Sequence, residues 1–114
     1  MADSLVLTLD VADADVQTEF WCAALGYEHA ASVVQYRALV DPSGKGPKML
    51  LQRVDELKTA KNRLHLDLHV GAEQRAATVQ RLEKLGATKL YDGAGGGSTW
   101  VTMADPEGNE FCVA

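Results

Sequence analysis

The segment Arg63-Leu64-His65-Leu66-Asp67-Leu68-His69-Val70 carries three side chains able to move protons or hold a ligand, each separated from the next by one apolar residue. In an extended strand this spacing sends the leucines and Val70 to one face and His65, Asp67 and His69 to the other. His65 and His69 would then stand about 13 Å apart, four residues at ~3.3 Å each, too far to share one cation. An imidazole at His65 suits general acid/base work, ligand binding or a hydrogen-bonded pocket wall, and the residue type leaves these readings open. The chain end alternates in the same way, with Phe111 and Val113 on one face and Glu110 and Cys112 on the other. Glu110 is a candidate catalytic base, with a salt-bridged carboxylate as the plain alternative. Cys112 is a candidate thiol ligand or nucleophile, with a small apolar wall residue as its alternative. Trp100, near Thr102, offers a flat ring for stacking on a planar ligand. Cys22 reads as core, His29 as exposed and His69 as a rim residue.

The elements that must position these residues occur twice. Val11, Leu25-Gly26 and Asp41-Pro42-Ser43-Gly44 recur as Val70, Leu85-Gly86 and Asp105-Pro106-Glu107-Gly108, with a small insertion in the second copy. In the first copy Leu5, Leu7, Leu9 and Val11 alternate with Val6, Thr8 and Asp10, the period of a half-buried strand. A helical stripe of Val16, Phe20 and Ala24 follows, with Trp21 and Leu25 beside it, Asp13 or Asp15 as cap and Gly26 as terminator. Extended segments come next around Tyr27 to His29, Val33 to Val40 and Met49 to Val54, the last two joined as a hairpin by the Asp-Pro-Ser-Gly turn. In the second copy Ala76, Val79, Leu82 and Leu85 form the helical stripe, followed by strands near Thr88 to Tyr91, Thr99 to Ala104 and Glu110 to Val113. Gly93-Ala94-Gly95-Gly96-Gly97 reads as a mobile loop. It lacks the Gly-Lys-Ser/Thr ending of a phosphate loop.

Each module is thus β-α-β-β-β: module one about residues 1–54, a polar linker 55–62 and module two about 63–114. The apolar set of each opening strand must cover the module's own helix, its only large apolar partner. The other set faces away, and pairing the modules would make those residues line a shared pocket. In Met49 to Val54 the same parity turns Leu50, Gln52 and Val54 inward and packs Met49 and Leu51 below, with Arg53 at the edge.

At 114 residues the chain has room for one ordinary domain, so the repeat is internal to a single fold. No apolar run approaches the roughly 18 residues of a membrane span, and the start lacks the basic region of a signal peptide. A net charge of −5 argues against nucleic acid as partner. Lys45, Lys48, Arg53, Lys58, Lys61 and Arg63 cluster mid-chain without interleaved aromatics, and read as a solvated linker. Two cysteines without a Cys-x-x-Cys spacing read as reduced thiols in a cytoplasmic protein.

Paired β-α-β-β-β modules, Val11-Ala12-Asp13, Phe20-Trp21 before Leu25-Gly26-Tyr27, Arg63-Leu64-His65-Leu66-Asp67-Leu68 and the ending Asp105-Pro106-Glu107-Gly108-Asn109-Glu110-Phe111-Cys112-Val113 together resemble the vicinal oxygen chelate superfamily. This grouping covers glyoxalases, bleomycin resistance proteins and extradiol dioxygenases. More narrowly, the chain resembles its single-chain glyoxalase-like domains, over essentially its whole length. The resemblance implies an α+β fold in which two tandem βαβββ modules form a curved eight-stranded mixed sheet around a central pocket. Metal enzymes of the superfamily hold a divalent cation between the modules, on pocket-facing positions of the opening and closing strands. Here those positions carry Val6, Gln52, His65 and Cys112. Valine has no donor atom, which leaves Gln52, His65 and Cys112 as the metal set the resemblance implies. His65 and Cys112 with Glu110 or Asp67 form the other arrangement. A thiolate favours soft metals such as zinc over magnesium or manganese.

The expectation is therefore a glyoxalase-like homodimer that binds a small organic molecule in the inter-module cavity through Gln52, His65, Asp67, Trp100 and Cys112. Its usual metal set is degraded and its reaction open, with His65 and Glu110 as the candidate catalytic pair. The alternative is a divalent-metal-dependent lyase, isomerase or dioxygenase of the same superfamily.

Overall fold

A computed structural model describes residues 1–114, which divide into two compact units, Met1–Leu57 and Lys58–Ala114. The first contains β1 (Val6–Val11), α1 (Ala14–Leu25), β2 (Glu28–Val33), β3 (Tyr36–Val40) and β4 (Lys48–Arg53). The second contains β5 (Asp67–Leu68), α2 (Ala72–Lys84), β6 (Thr88–Gly95), β7 (Ser98–Ala104) and β8 (Glu110–Val113). The eight strands form two four-stranded mixed sheets, ordered β1-β4-β3-β2 and β5-β8-β7-β6. In each, the opening and closing strands are parallel and the other pairs antiparallel. This is the α+β arrangement of two tandem βαβββ modules, with the strands divided between two sheets.

The helices form where caps and apolar spacing agree. Asp13 Oδ1 accepts from the amides of Asp15 and Val16 at 3.1 Å each, satisfying two donors that the first turn leaves free. Gly26 ends α1 in the left-handed region. The buried face of α1 holds Gln17, Thr18, Phe20 and Trp21, whereas Val16 is 45% exposed, so the stripe is rotated from the Val16-Phe20-Ala24 line. The Phe20 and Trp21 rings account for the rotation: they pack edge to face with centroids 5.2 Å apart, and burying both bulky rings sets the helix phase. Leu39, Met49 and Leu51 supply the sheet side of this core. In the second unit Val79 and Leu82 of α2 are buried, with Val101, Met103, Phe111 and Val113 from the sheet. Ala76 and Leu85 stay exposed.

The two Asp-Pro-x-Gly turns are built alike. Asp41 O and Asp105 O each accept from the glycine amide three residues on, at 2.9 Å. Asp41 Oδ1 takes the Ser43 amide at 2.8 Å and Asp105 Oδ1 the Glu107 amide at 2.9 Å, the side-chain-closed turn that aspartate favours. Both sheets also carry a bulge at matching places, between His29 and Ala31 and between Lys89 and Tyr91.

Three sequence expectations need correction. The opening strand of the second module is only Asp67–Leu68, although Leu66 O still accepts from the Cys112 amide at 2.9 Å. Before it the chain bends, because the Asn62 amide and side chain are tied to Glu110 and Asn109, and Leu64 is left 73% exposed. The glycine run is not a loop: Gly93–Gly95 belong to β6, and only Gly96-Gly97 turn the chain, both at positive φ as a tight hairpin favours. The stretch Val33 to Val40 breaks at Val34-Gln35 into β2 and β3, with Val34 at φ 47°, an unusual conformation for a β-branched residue.

Candidate functional site

The second unit carries a cleft of about 820 Å³ on the sheet face turned away from α2 and around one end of the sheet. That volume lies within the usual range for small-molecule sites. Parity and register bring its central residues together. Asp67 pairs with Cys112 across β5–β8, Cys112 with Thr102 across β7–β8, and Thr102 with Tyr91 across β6–β7, so these four form one row on one face. His65 lies two residues before Asp67 and lines the same cleft.

At the row's end stands the most chemically capable group. His65 Nδ1 lies 3.2 Å from Asp67 Oδ1, and ligand atoms of His65, Asp67 and Cys112 all fall within 4.8 Å of one another. His65 and Asp67 are exposed, whereas Cys112 is buried with its sulfur 3.5 Å from Thr102 Oγ1. A nitrogen, a carboxylate and a thiol are zinc-type donors, and about 3.5 Å separates ligand atoms in a tetrahedral site, so modest closure would let the three hold one thiophilic dication. The donor set fits such an ion. Asp67 here stands where Gln52 stood in the set implied by resemblance. Gln52 is half-buried on β4 of the first unit, register partner of Asp10 and Tyr36, and Val6 is on β1 of that unit.

Glu110 lines the cleft but is engaged elsewhere. It accepts from Lys58 Nζ at 2.9 Å and from the Asn62 amide at 3.0 Å. Burial works to raise its pKa. The hydrogen bonds from Lys58, the Asn62 amide and its own amide, with the Lys58 charge, outweigh this and hold it at about 2. A carboxylate so acidic is a weak proton acceptor at neutral pH.

Trp100 owes its place to the glycines opposite it. Gly93 is its direct partner across β6–β7, and any Cβ there would collide with the indole, so the ring lies over the glycine backbone. A Cβ at Gly95 would meet the ring's Cη2 at 3.5 Å, ordinary contact. Gly93 thus clears a seat for an aromatic side chain that lines the cleft together with Tyr91.

Sequence reasoning missed three cations. Lys58 is bound to Glu110, and Lys61 and Arg75 line the cleft, so the mid-chain basic cluster is only partly a solvated linker. Arg75 Nη1 donates to Thr99 Oγ1 at 2.7 Å. Periodicity reports which face of an element a residue occupies, but a long flexible cation reaches round that face. Only the position of Arg75 in the first turns of α2 hinted at it.

The sequence matches the Glyoxalase-like domain family over residues 6–114. No curated protein sequence matches. Among solved structures, an enzyme of the glyoxalase/bleomycin resistance protein/dioxygenase family from Burkholderia phytofirmans PsJN superposes with a TM-score of 0.82 at 16% identity, covering 98% of this chain and 97% of that one. Protein ATC0852 from Agrobacterium tumefaciens gives 0.79 at 21% identity, over 99% and 96%. A mutant of the genomically encoded fosfomycin resistance protein FosX from Listeria monocytogenes, complexed with Mn(II) and 1S,2S-dihydroxypropylphosphonic acid, gives 0.81 at 17% identity, over 99% and 90%. At these identities the structures speak for the fold. With the family match across nearly the whole sequence, they show that the chain belongs to the glyoxalase-like domain family of the vicinal oxygen chelate superfamily.

Proposed function

We propose that this protein binds a small organic molecule in the cleft of its second unit. The observation that carries this reading is the Trp100 ring, seated on glycine backbone in an 820 Å³ cleft whose wall also holds His65, Asp67 and Cys112. An apolar plate with a few polar groups to one side is the usual composition of a small-molecule site. Asp67 and His65 would orient polar groups of the ligand, and Thr102 and Cys112 would close the floor. The test is a small-molecule library screened by ligand-observed NMR and by the fluorescence of Trp100 in a Trp21→Phe background. Saturable binders that lose affinity in Trp100→Leu are expected. A library without binders, or binders indifferent to Trp100, would count against the reading.

A second reading follows from the convergence of His65, Asp67 and Cys112. We propose these three as the holders of a divalent metal, in a metal-assisted lyase, isomerase or dioxygenase. Such an ion would polarise substrate oxygens, and the chain's own part would be to fix its position and present the ligand against Trp100. Zn²⁺ at a hundredfold excess over its Kd should stabilise the fold by about 2.7 kcal/mol, a rise of several degrees in Tm. That rise should vanish in Cys112→Ser and shrink in Asp67→Asn. Equal shifts in wild type and both variants would remove this site from consideration. The same proposal takes the protein as a cytoplasmic homodimer. Val33 and Tyr36, exposed cross-strand partners beside exposed Val34 at the β2–β3 hairpin, support self-association, and sedimentation equilibrium reads it directly.

A further inference from the structure

The cleft's charges select among ligands. Lys61 and Arg75 bring two positive charges to its wall. Of the two side-chain carboxylates there, Glu110 is already paired with Lys58, and Asp67 lies beside His65. Among side chains not paired to a residue outside the cleft, the cations Lys61 and Arg75 outnumber the carboxylate of Asp67 by one. This surplus sits in a chain whose net charge is −5, so it is a local feature against the overall field.

Arg75 gives the surplus a geometry. Thr99, the β7 neighbour of Trp100, anchors its Nη1 at 2.7 Å, while its Nε is buried and has no hydrogen-bond partner. Buried in this way, the Nε is out of a ligand's reach, and a ligand oxygen would meet the terminal nitrogens of the guanidinium. With Thr99 holding Nη1, the guanidinium is oriented in advance and loses little rotamer freedom on binding.

Building on the binding function proposed above, we propose that the ligand is a planar aromatic monocarboxylate. Its ring stacks on Trp100, its carboxylate takes the guanidinium of Arg75, and Lys61 adds longer-range attraction. A flat seat calls for a flat ring, and two cationic side chains at the wall call for an anionic group on it.

Three matched probes test this: 2-naphthoate, its neutral amide 2-naphthamide, and the cation 2-naphthylmethylammonium. Binding is measured by saturation-transfer NMR on the wild-type protein, beside the broad library used for the function itself. Naphthoate should bind at least tenfold more tightly than either isostere. Its affinity should fall with added NaCl while that of the amide stays level. Arg75→Gln should erase the preference for naphthoate over naphthamide, and Arg75→Lys should keep part of it; circular dichroism checks that both variants fold. The salt titration on the wild type decides the matter if a variant does not. Should the amide or the ammonium bind as well as naphthoate, or should library members bind while naphthoate does not, the carboxylate assignment falls and the binding function stands. If no compound of any charge binds, both fall together.

Discussion

Glu110 accepts from Lys58 Nζ and the Asn62 amide, and these contacts fasten the start of the second unit to its last strand. The consequence is a pH dependence of stability. In the unfolded chain the carboxyl would titrate near its ordinary value of 4.5, whereas folded it is held at about 2. The folded pKa is the lower one, so the contribution is complete above about pH 4.5 and is lost as pH falls towards 2. Glu110→Gln should therefore lower stability at pH 6 and change little near pH 2, as read by urea unfolding at the two pH values; equal losses at both would refute the assignment. Of the site residues, Asp67 and Cys112 were legible as sharing a face because a strand alternates with period two, and the sheet makes them register partners. The engagement of Glu110 was not legible. It depends on a lysine 52 positions away in sequence, and no local pattern encodes that meeting.

At the scale of elements, the glycines of β6 carry the clearest functional content. They look like a flexible loop by composition, yet Gly93 to Gly95 are strand, and Gly93 is the one that must leave room for the Trp100 ring. Gly93→Val should displace that ring and destabilise the fold by about 1–3 kcal/mol, the usual cost of overpacking. It should also shift the emission of Trp100 in a Trp21→Phe background. Unchanged emission would mean the ring does not rest there. The matching hairpin of the first unit turns at Val34-Gln35 instead of two glycines, with Val34 at positive φ and exposed. A β-branched side chain is strained in that region by about 1–2 kcal/mol, so Val34→Asn should raise the melting temperature. Helix existence, the order of elements along the chain and the Asp-Pro-x-Gly turns were readable in advance. The phase of α1 was not, since two adjacent aromatic rings outweighed the aliphatic stripe.

Taken as a whole, the molecule repeats its architecture and not its chemistry. Both units have one helix on one sheet face, yet the outward-facing row beginning at Val6, Thr8 and Asp10 has none of the thiol and imidazole groups found from His65 to Cys112. The doubling was legible from the recurring turns and helix ends, because those depend on glycine, proline and aspartate at fixed places. Each unit is also small: at about 60 residues a domain buries only about 60% of its unfolded surface and is marginal alone. Residues 1–57 expressed separately should show no cooperative thermal transition by circular dichroism, and a sigmoidal melt would show the unit to be self-sufficient.

The paired bulges bear on how this chain could vary in length. Deleting one residue from a strand normally turns every later side chain to the wrong face. At the bulge in β6, Lys89 opposes Met103 and Tyr91 opposes Thr102, so Leu90 is surplus to the ladder, and Ala30 holds the same place in β2. Removing either would regularise the strand and leave Tyr91 or Ala31 opposite its present partner. These are two sites inside the sheets where a single-codon loss can be absorbed, and shortened relatives would be expected to have lost a residue there and not in β7 or β8.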